Sequence, residues 1–87
     1  LYELRANAYY DLGDYDKAVD DMEKMRDYYG FSKNKILLGK LVMGYEQLKE
    51  YINAVLTYSE IIKLTTSNIE LSDLYLKRAI VKSKHYT

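Results

Sequence analysis

Apolar residues recur along the chain at spacings of three and four, in five blocks separated by short polar breaks. Residues 2–12 carry Tyr2, Ala6, Tyr9 and Leu12 on this spacing, and residues 15–29 carry Tyr15, Ala18, Val19, Met22 and Met25. Residues 34–48 carry Leu37, Leu38, Leu41, Val42, Tyr45 and Leu48. Residues 51–64 carry Tyr51, Ala54, Val55, Tyr58, Ile61 and Ile62, and residues 68–84 carry Leu71, Leu74, Leu76, Ala79 and Ile80. Positions three, four and seven apart share one face of an α-helix, so each block predicts an amphipathic helix. Strict alternation, the mark of a half-buried strand, extends over no useful length. The expectation is about five helices and no sheet.

The breaks carry helix-ending and helix-starting chemistry. Gly13 suits the left-handed position after a helix, and Asp14 suits the cap of the next one. Gly30-Phe31-Ser32 forms a second break, with Ser32 as the expected N-cap. In Thr65-Thr66-Ser67-Asn68, Ser67 and Glu70 have capping-box spacing. Leu48-Lys49-Glu50 reads as a fourth, weaker break. Lys17 with Asp21 and Asp20 with Lys24 lie one turn apart and predict minor ion pairs.

The chain also matches itself when shifted by 36 residues. Tyr9 falls on Tyr45, Leu12 on Leu48, Tyr15 on Tyr51, Ala18 on Ala54, Met22 on Tyr58 and Met25 on Ile61. The matching positions are of core type, while the charged positions between them mostly differ. A repeated buried face with a free surface is what stacked helical hairpins require, because no hairpin covers its own apolar side. The small residues Ala18 and Ala54 fall where paired helices approach closely.

In this arrangement the chain resembles the tetratricopeptide repeat family, a helix–turn–helix unit with bulky, small and aromatic residues at set spacings. Tyr2, Ala6, Tyr9, Gly13, Tyr15, Ala18 and Met22 carry the resemblance in the first unit, and the run from Ala8 to Ala18 is very close to the family pattern. Leu38, Leu41, Tyr45, Tyr51, Ala54 and Tyr58 carry it in the second. The resemblance implies an all-α solenoid of antiparallel helix pairs, wound as a right-handed superhelix. One domain is expected, with residues 1–32 as the first repeat, 33–66 as the second, and 67–87 as the first helix of a third, incomplete repeat or a capping helix. The departures are Arg5 in place of an apolar residue, Val42 in place of a small one, and Lys49 in place of the turn glycine. Two extra residues are expected in the loop near residues 30–34.

Members of this family bind peptides or helices in a concave groove lined by the first helix of each hairpin. Carried over by position, the groove residues are Glu3, Asn7, Tyr10 and Asp11, then Lys40, Met43, Glu46 and Gln47, then Tyr75, Arg78 and Lys82. Asn7 matches a position that some members use to hold a peptide carboxylate. Glu3 and Lys40 stand where that clamp needs Lys and a second Asn, so a chaperone-tail receptor is not expected. Tyr10, Met43 and Tyr75 are candidates either to anchor a partner or, equally, to pack against a neighbouring helix, since aromatic and Met side chains adapt to such surfaces.

Composition narrows the classes further. Eighty-seven residues support one small domain, which buries only roughly 60% of its unfolded surface. Absent Cys, disulfide frameworks and Cys-based metal sites are excluded. Thirteen basic and thirteen acidic side chains cancel, giving no general attraction to nucleic acid or anionic lipid. The distribution is uneven: residues 1–30 hold eight acids and four bases, a balance of −4 that leaves +4 for the remainder. Such clusters ordinarily solvate helix faces. A nucleic-acid contact through Lys77, Arg78, Lys82 and Lys84 is the minor alternative, and the structural one is self-association through the unpaired last helix or its packing against the rest of a longer regulatory chain. No apolar run is long enough to span a membrane. The chain opens at Leu1 with no signal segment, and reads as a fragment, a processed chain or the ordered part of a longer one. A cytoplasmic setting is expected.

Recognisable catalytic chemistry is missing from the pattern. His85 is the single His, so a zinc site or a His-based triad lacks its members. Residues 11–16 resemble a calcium loop only faintly, without the order of acids or the closing Glu. Gly39 and Gly44 have phosphate-loop separation, but Tyr45 and Glu46 follow where Lys and Ser or Thr are needed. The expectation is a binding or scaffolding module with no cofactor and no metal, taking a protein or peptide partner.

Overall fold

A computed structural model describes residues 2–86, with the side chain of Tyr2 outside the description. The place of Tyr2 in the first stripe therefore lies outside the described residues. Five helices follow in order: α1 (Tyr2–Asp11), α2 (Tyr15–Tyr28), α3 (Lys35–Gln47), α4 (Tyr51–Lys63) and α5 (Asn68–His85). No strand occurs among the described residues, and the protein is all-α as the spacing predicts.

The two tight turns have the same build. Gly13 N–H bonds to Tyr10 O and Asp14 N–H to Tyr9 O; 36 residues on, Lys49 N–H bonds to Glu46 O and Glu50 N–H to Tyr45 O. This is the paired closure of a helix C-terminus, which satisfies its last carbonyls and requires a left-handed residue. Gly13 supplies it at φ +80°, and Lys49 adopts it at φ +60° despite its side chain. The lysine thus bears a steric cost that glycine avoids.

Three local expectations change. Asn34, and not Ser32, caps α3, its side chain accepting from Leu37 N–H at 3.1 Å. Gly30 at φ +82° lets both Tyr29 and Phe31 bond to Met25 O, and Asn34 N–H then bonds to Phe31 O. That extra turn consumes Ser32 and delays the helix. Asp14 stands at the start of α2 but makes no side-chain cap, pairing instead with Lys17 at 3.6 Å. Ser67 caps α5 as expected by accepting from Glu70 N–H, while the Glu70 carboxylate reaches Lys35 of α3 at 3.4 Å.

Each helix packs on its sequence neighbours, most extensively α1 on α2 and α3 on α4. Ala18 and Ala54 are both fully buried, as small residues at a tight helix contact must be. Met22, Met25, Leu37, Leu38, Leu41, Val42, Tyr45, Tyr58 and Ile61 complete most of the core. The two hairpins meet through α2 and α3, where Val19 lies directly over Gly44. Arg5 forms a bidentate ion pair with buried Asp21, both bonds 2.8 Å, and so pins α1 to α2. Asp21 is thereby diverted from Lys17; the expected pair of Asp20 with Lys24 forms at 3.1 Å.

Two apolar stripes are corrected. Leu12 is 81% exposed, because it lies past the end of α1 in the turn that Gly13 closes. On α5 the inward residues are Leu71, Leu74, Arg78 and Val81, while Leu76, Ala79 and Ile80 are exposed. The helix is apolar on two sides, and contact with α4 selects the first.

Candidate functional site

Side chains from α1, α3 and α5 meet across the molecule although these helices are not sequence neighbours. Lys40 Nζ on α3 donates to Asn7 Oδ1 on α1 at 2.8 Å. Lys84 on α5 lies 3.9 Å from Glu46 on α3, near the opposite end from the pair of Lys35 with Glu70. Helical spacing puts Met43 between Lys40 and Glu46 on the same side of α3, and its side chain is 53% exposed. The result is an apolar centre bordered by charges of both signs.

Next to the Asn7–Lys40 bond, α1 and α3 part to leave a cavity of about 130 Å³. Met22, Met25, Phe31 and Leu37 supply much of its apolar wall, and Glu3, Asn7, Asn34 and Lys40 bring polar groups to it. The sequence pattern marks Met22, Met25 and Leu37 as core. That they also border an opening follows only from the separation of α1 and α3 above α2.

The expected groove residues are not all brought together. Glu3, Asn7 and Lys40 share the cavity. Met43, Glu46 and Gln47 continue along α3, with Gln47 exposed. Asp11 is exposed at the end of α1. Tyr10 packs its ring edge-on against Tyr15, centroids 5.3 Å apart, so it braces the first turn. Burial raises its hydroxyl pKa, with smaller contributions from Tyr15 and Asp11.

The α5 residues are placed differently. Arg78 lies over the Tyr75 ring at 5.1 Å and donates to Ser59 of α4 at 3.1 Å. Lys82 lines a 270 Å³ cleft with Ile52, Val55 and Leu56 of α4 and with His85 and Tyr86. Arg78 therefore contacts α4 and Lys82 faces a cleft shared with it, whereas Glu70 and Lys84 of α5 pair with α3. The difference follows from the rotation of α5 about its axis, which sets Val81 inward instead of Ile80.

A broader hollow of 600 Å³ lies between α2 and α4. Its charges are largely engaged: Tyr45 donates to Glu23, Arg26 binds Asp27 at 2.8 Å, and Lys63 reaches Glu60 at 3.4 Å. Burial is the main cause that raises the Tyr45 pKa, and Glu23 raises it further. This internally paired set ties α3 to α2 and leaves little polar capacity for a ligand.

Among the described residues no group of His, Cys, Asp and Glu is placed to hold a metal ion, and no helix is long and apolar enough to cross a membrane. No protein-family model, curated protein or solved structure matches the chain.

Proposed function

We propose that the protein is a tetratricopeptide-type interaction module that binds an extended peptide or a helix along the side shared by α1, α3 and α5. In this reading the helix pairs stack as a right-handed solenoid, and the alternate helices form its concave side. The supporting observation is that Asn7 and Lys40 join α1 to α3 and Glu46 and Lys84 join α3 to α5, with Met43 exposed between the two pairs. Met43 contributes adaptable apolar area, and the flanking polar groups bond a peptide main chain. The alternation of Glu46 with Lys40 and Lys84 suits a mixed-charge protein ligand better than a polyanion, which requires a continuous basic strip. The module acts by binding and not by catalysis, in a cytoplasmic setting.

Selection of a random twelve-residue peptide library on the protein tests this reading. Selected peptides are expected to lose at least tenfold in affinity on Met43→Asp and to be unaffected by Lys63→Ala on the α2–α4 side. Equal responses to the two variants, or no selected peptide, refute it.

A second reading is self-association through the outer face of α5, favoured by the exposure of Ile69, Leu76 and Ile80. Those three share one side of the helix. It predicts a sedimentation coefficient that rises with concentration and stops rising in Leu76→Glu.

A further inference from the structure

We infer that the cavity between α1 and α3 is an anchor pocket for one aliphatic side chain of the bound peptide, of leucine, isoleucine or methionine size. This rests on the proposed function and adds to it the chemical class that the partner must present.

Three features lead to it. The first is volume. The cavity measures about 130 Å³. An apolar cavity of about 150 Å³ accommodates benzene, so four heavy atoms fit here and the indole of tryptophan does not. Alanine would leave most of the space empty.

The second is the chemistry of the wall. Phe31 and the exposed Ile36 supply accessible apolar surface, Met22, Met25 and Leu37 close the floor while themselves nearly fully buried, and the polar groups of Glu3, Asn7, Asn34 and Lys40 stand in the same lining. The two methionines adjust to branched and unbranched occupants alike.

The third is the mouth. Asn7 has its carboxamide oxygen committed to Lys40, which leaves its NH₂ group as the donor. A peptide that places a side chain in the pocket brings its own carbonyls near that donor and the Lys40 ammonium. Apolar side chain inside, main-chain acceptor at the rim, is a pattern that fixes both depth and direction of an extended ligand. The 600 Å³ hollow is far larger than one side chain, and its Glu23, Arg26, Asp27, Glu60 and Lys63 pair within the protein, while nothing marks an occupant for the 270 Å³ cleft at α4 and α5.

The test uses peptides selected on the intact protein from the same random library. Supporting results are a Leu, Ile or Met at one fixed position, an affinity loss of roughly tenfold to a hundredfold when that residue becomes Ala, and a comparable loss with Trp. N-acetyl-leucinamide titrated onto isotope-labelled protein should also shift the Ala6, Met22, Met25 and Leu37 signals, several-fold more strongly than N-acetyl-alaninamide. Ala6→Val fills the pocket and should abolish that preference. Should that variant fail to fold, the leucinamide and alaninamide titrations of the unaltered protein decide the question. Selected peptides without an aliphatic requirement, or leucinamide shifts located elsewhere, overturn the anchor while leaving cleft binding intact. Absence of any selected peptide overturns the proposed function and the anchor with it.

Discussion

Gly39 and Gly44 lie one and a half turns apart in α3, and the same substitution at each should move stability in opposite directions. A Cβ built on Gly39 meets nothing within 4 Å. Gly39→Ala therefore restores helix propensity without a clash, and should stabilise the fold by about 0.5–1 kcal/mol. A Cβ on Gly44 would lie 2.5 Å from Val19 Cγ2. Val19 is β-branched and buried, so its methyl cannot turn away without leaving its rotamer. Overpacking of this kind costs about 1–3 kcal/mol, against about 1 kcal/mol gained in propensity. Gly44→Ala should thus be destabilising by about 1 kcal/mol, and the two variants should differ by about 2 kcal/mol. Urea unfolding followed by circular dichroism reads this directly, as midpoints separated by on the order of 1 M or more at unchanged slope. Repeating Gly44→Ala in a Val19→Ala background removes the obstructing methyl and should turn its effect stabilising, which isolates the pair as the cause. Equal upward midpoint shifts for Gly39→Ala and Gly44→Ala would falsify the close approach of α2 and α3 at this point.

Other perturbations probe separate contacts. Lys49→Gly should stabilise the protein by about 0.5–1 kcal/mol, relief of the left-handed strain outweighing the added freedom of the unfolded chain; an unchanged thermal midpoint counts against that strain. Asp21 is held below the usual carboxylate range first by its hydrogen bonds from Arg5 and then by the charges of Arg5 and Lys24, against opposing burial. Its folded-state pKa is depressed, so its stabilisation is complete above the unfolded value of about 4 and is lost as pH falls through the folded one. Asp21→Asn should cost about 1–2 kcal/mol at neutral pH, since Arg5 is half exposed, and should flatten the stability profile below about pH 4; a parallel acid profile excludes this pair as the cause. Tyr45→Phe removes the hydroxyl bonded to Glu23 and should lower stability by about 1–2 kcal/mol, measured by the same urea transition.

Helix identity was readable from local pattern because periodicity belongs to each helix alone. The stripes of α2, α3 and α4 bury nearly as their spacing predicts, and the 36-residue correspondence reappears in the backbone bonds of the two tight turns. Ser67 likewise caps α5 through a purely local bond. Asn7, Lys40, Met43 and Glu46 came instead from the resemblance to a repeat family, carried over by position, and the bonds they make were not legible in the pattern.

What required the tertiary structure depends on the rotation of one helix against another. Arg5 breaks the apolar pattern of α1, and only packing against α2 reveals Asp21 as its partner, sixteen residues away. α5 carries two apolar sides, and its own sequence cannot choose between them. Contact with α4 turns Leu74 and Val81 inward, carrying Arg78 and Lys82 toward α4 and leaving Glu70 and Lys84 to meet α3. Gly39 and Gly44 are chemically identical, and only the position of Val19 separates an idle glycine from a necessary one. The cavity is likewise a property of three helices together, because a wall built from Met22, Phe31 and Leu37 exists only where α1 and α3 stand apart over α2. Backbone periodicity is set by interactions within a few residues, whereas rotation, register and empty volume are settled by steric fit between surfaces distant in sequence.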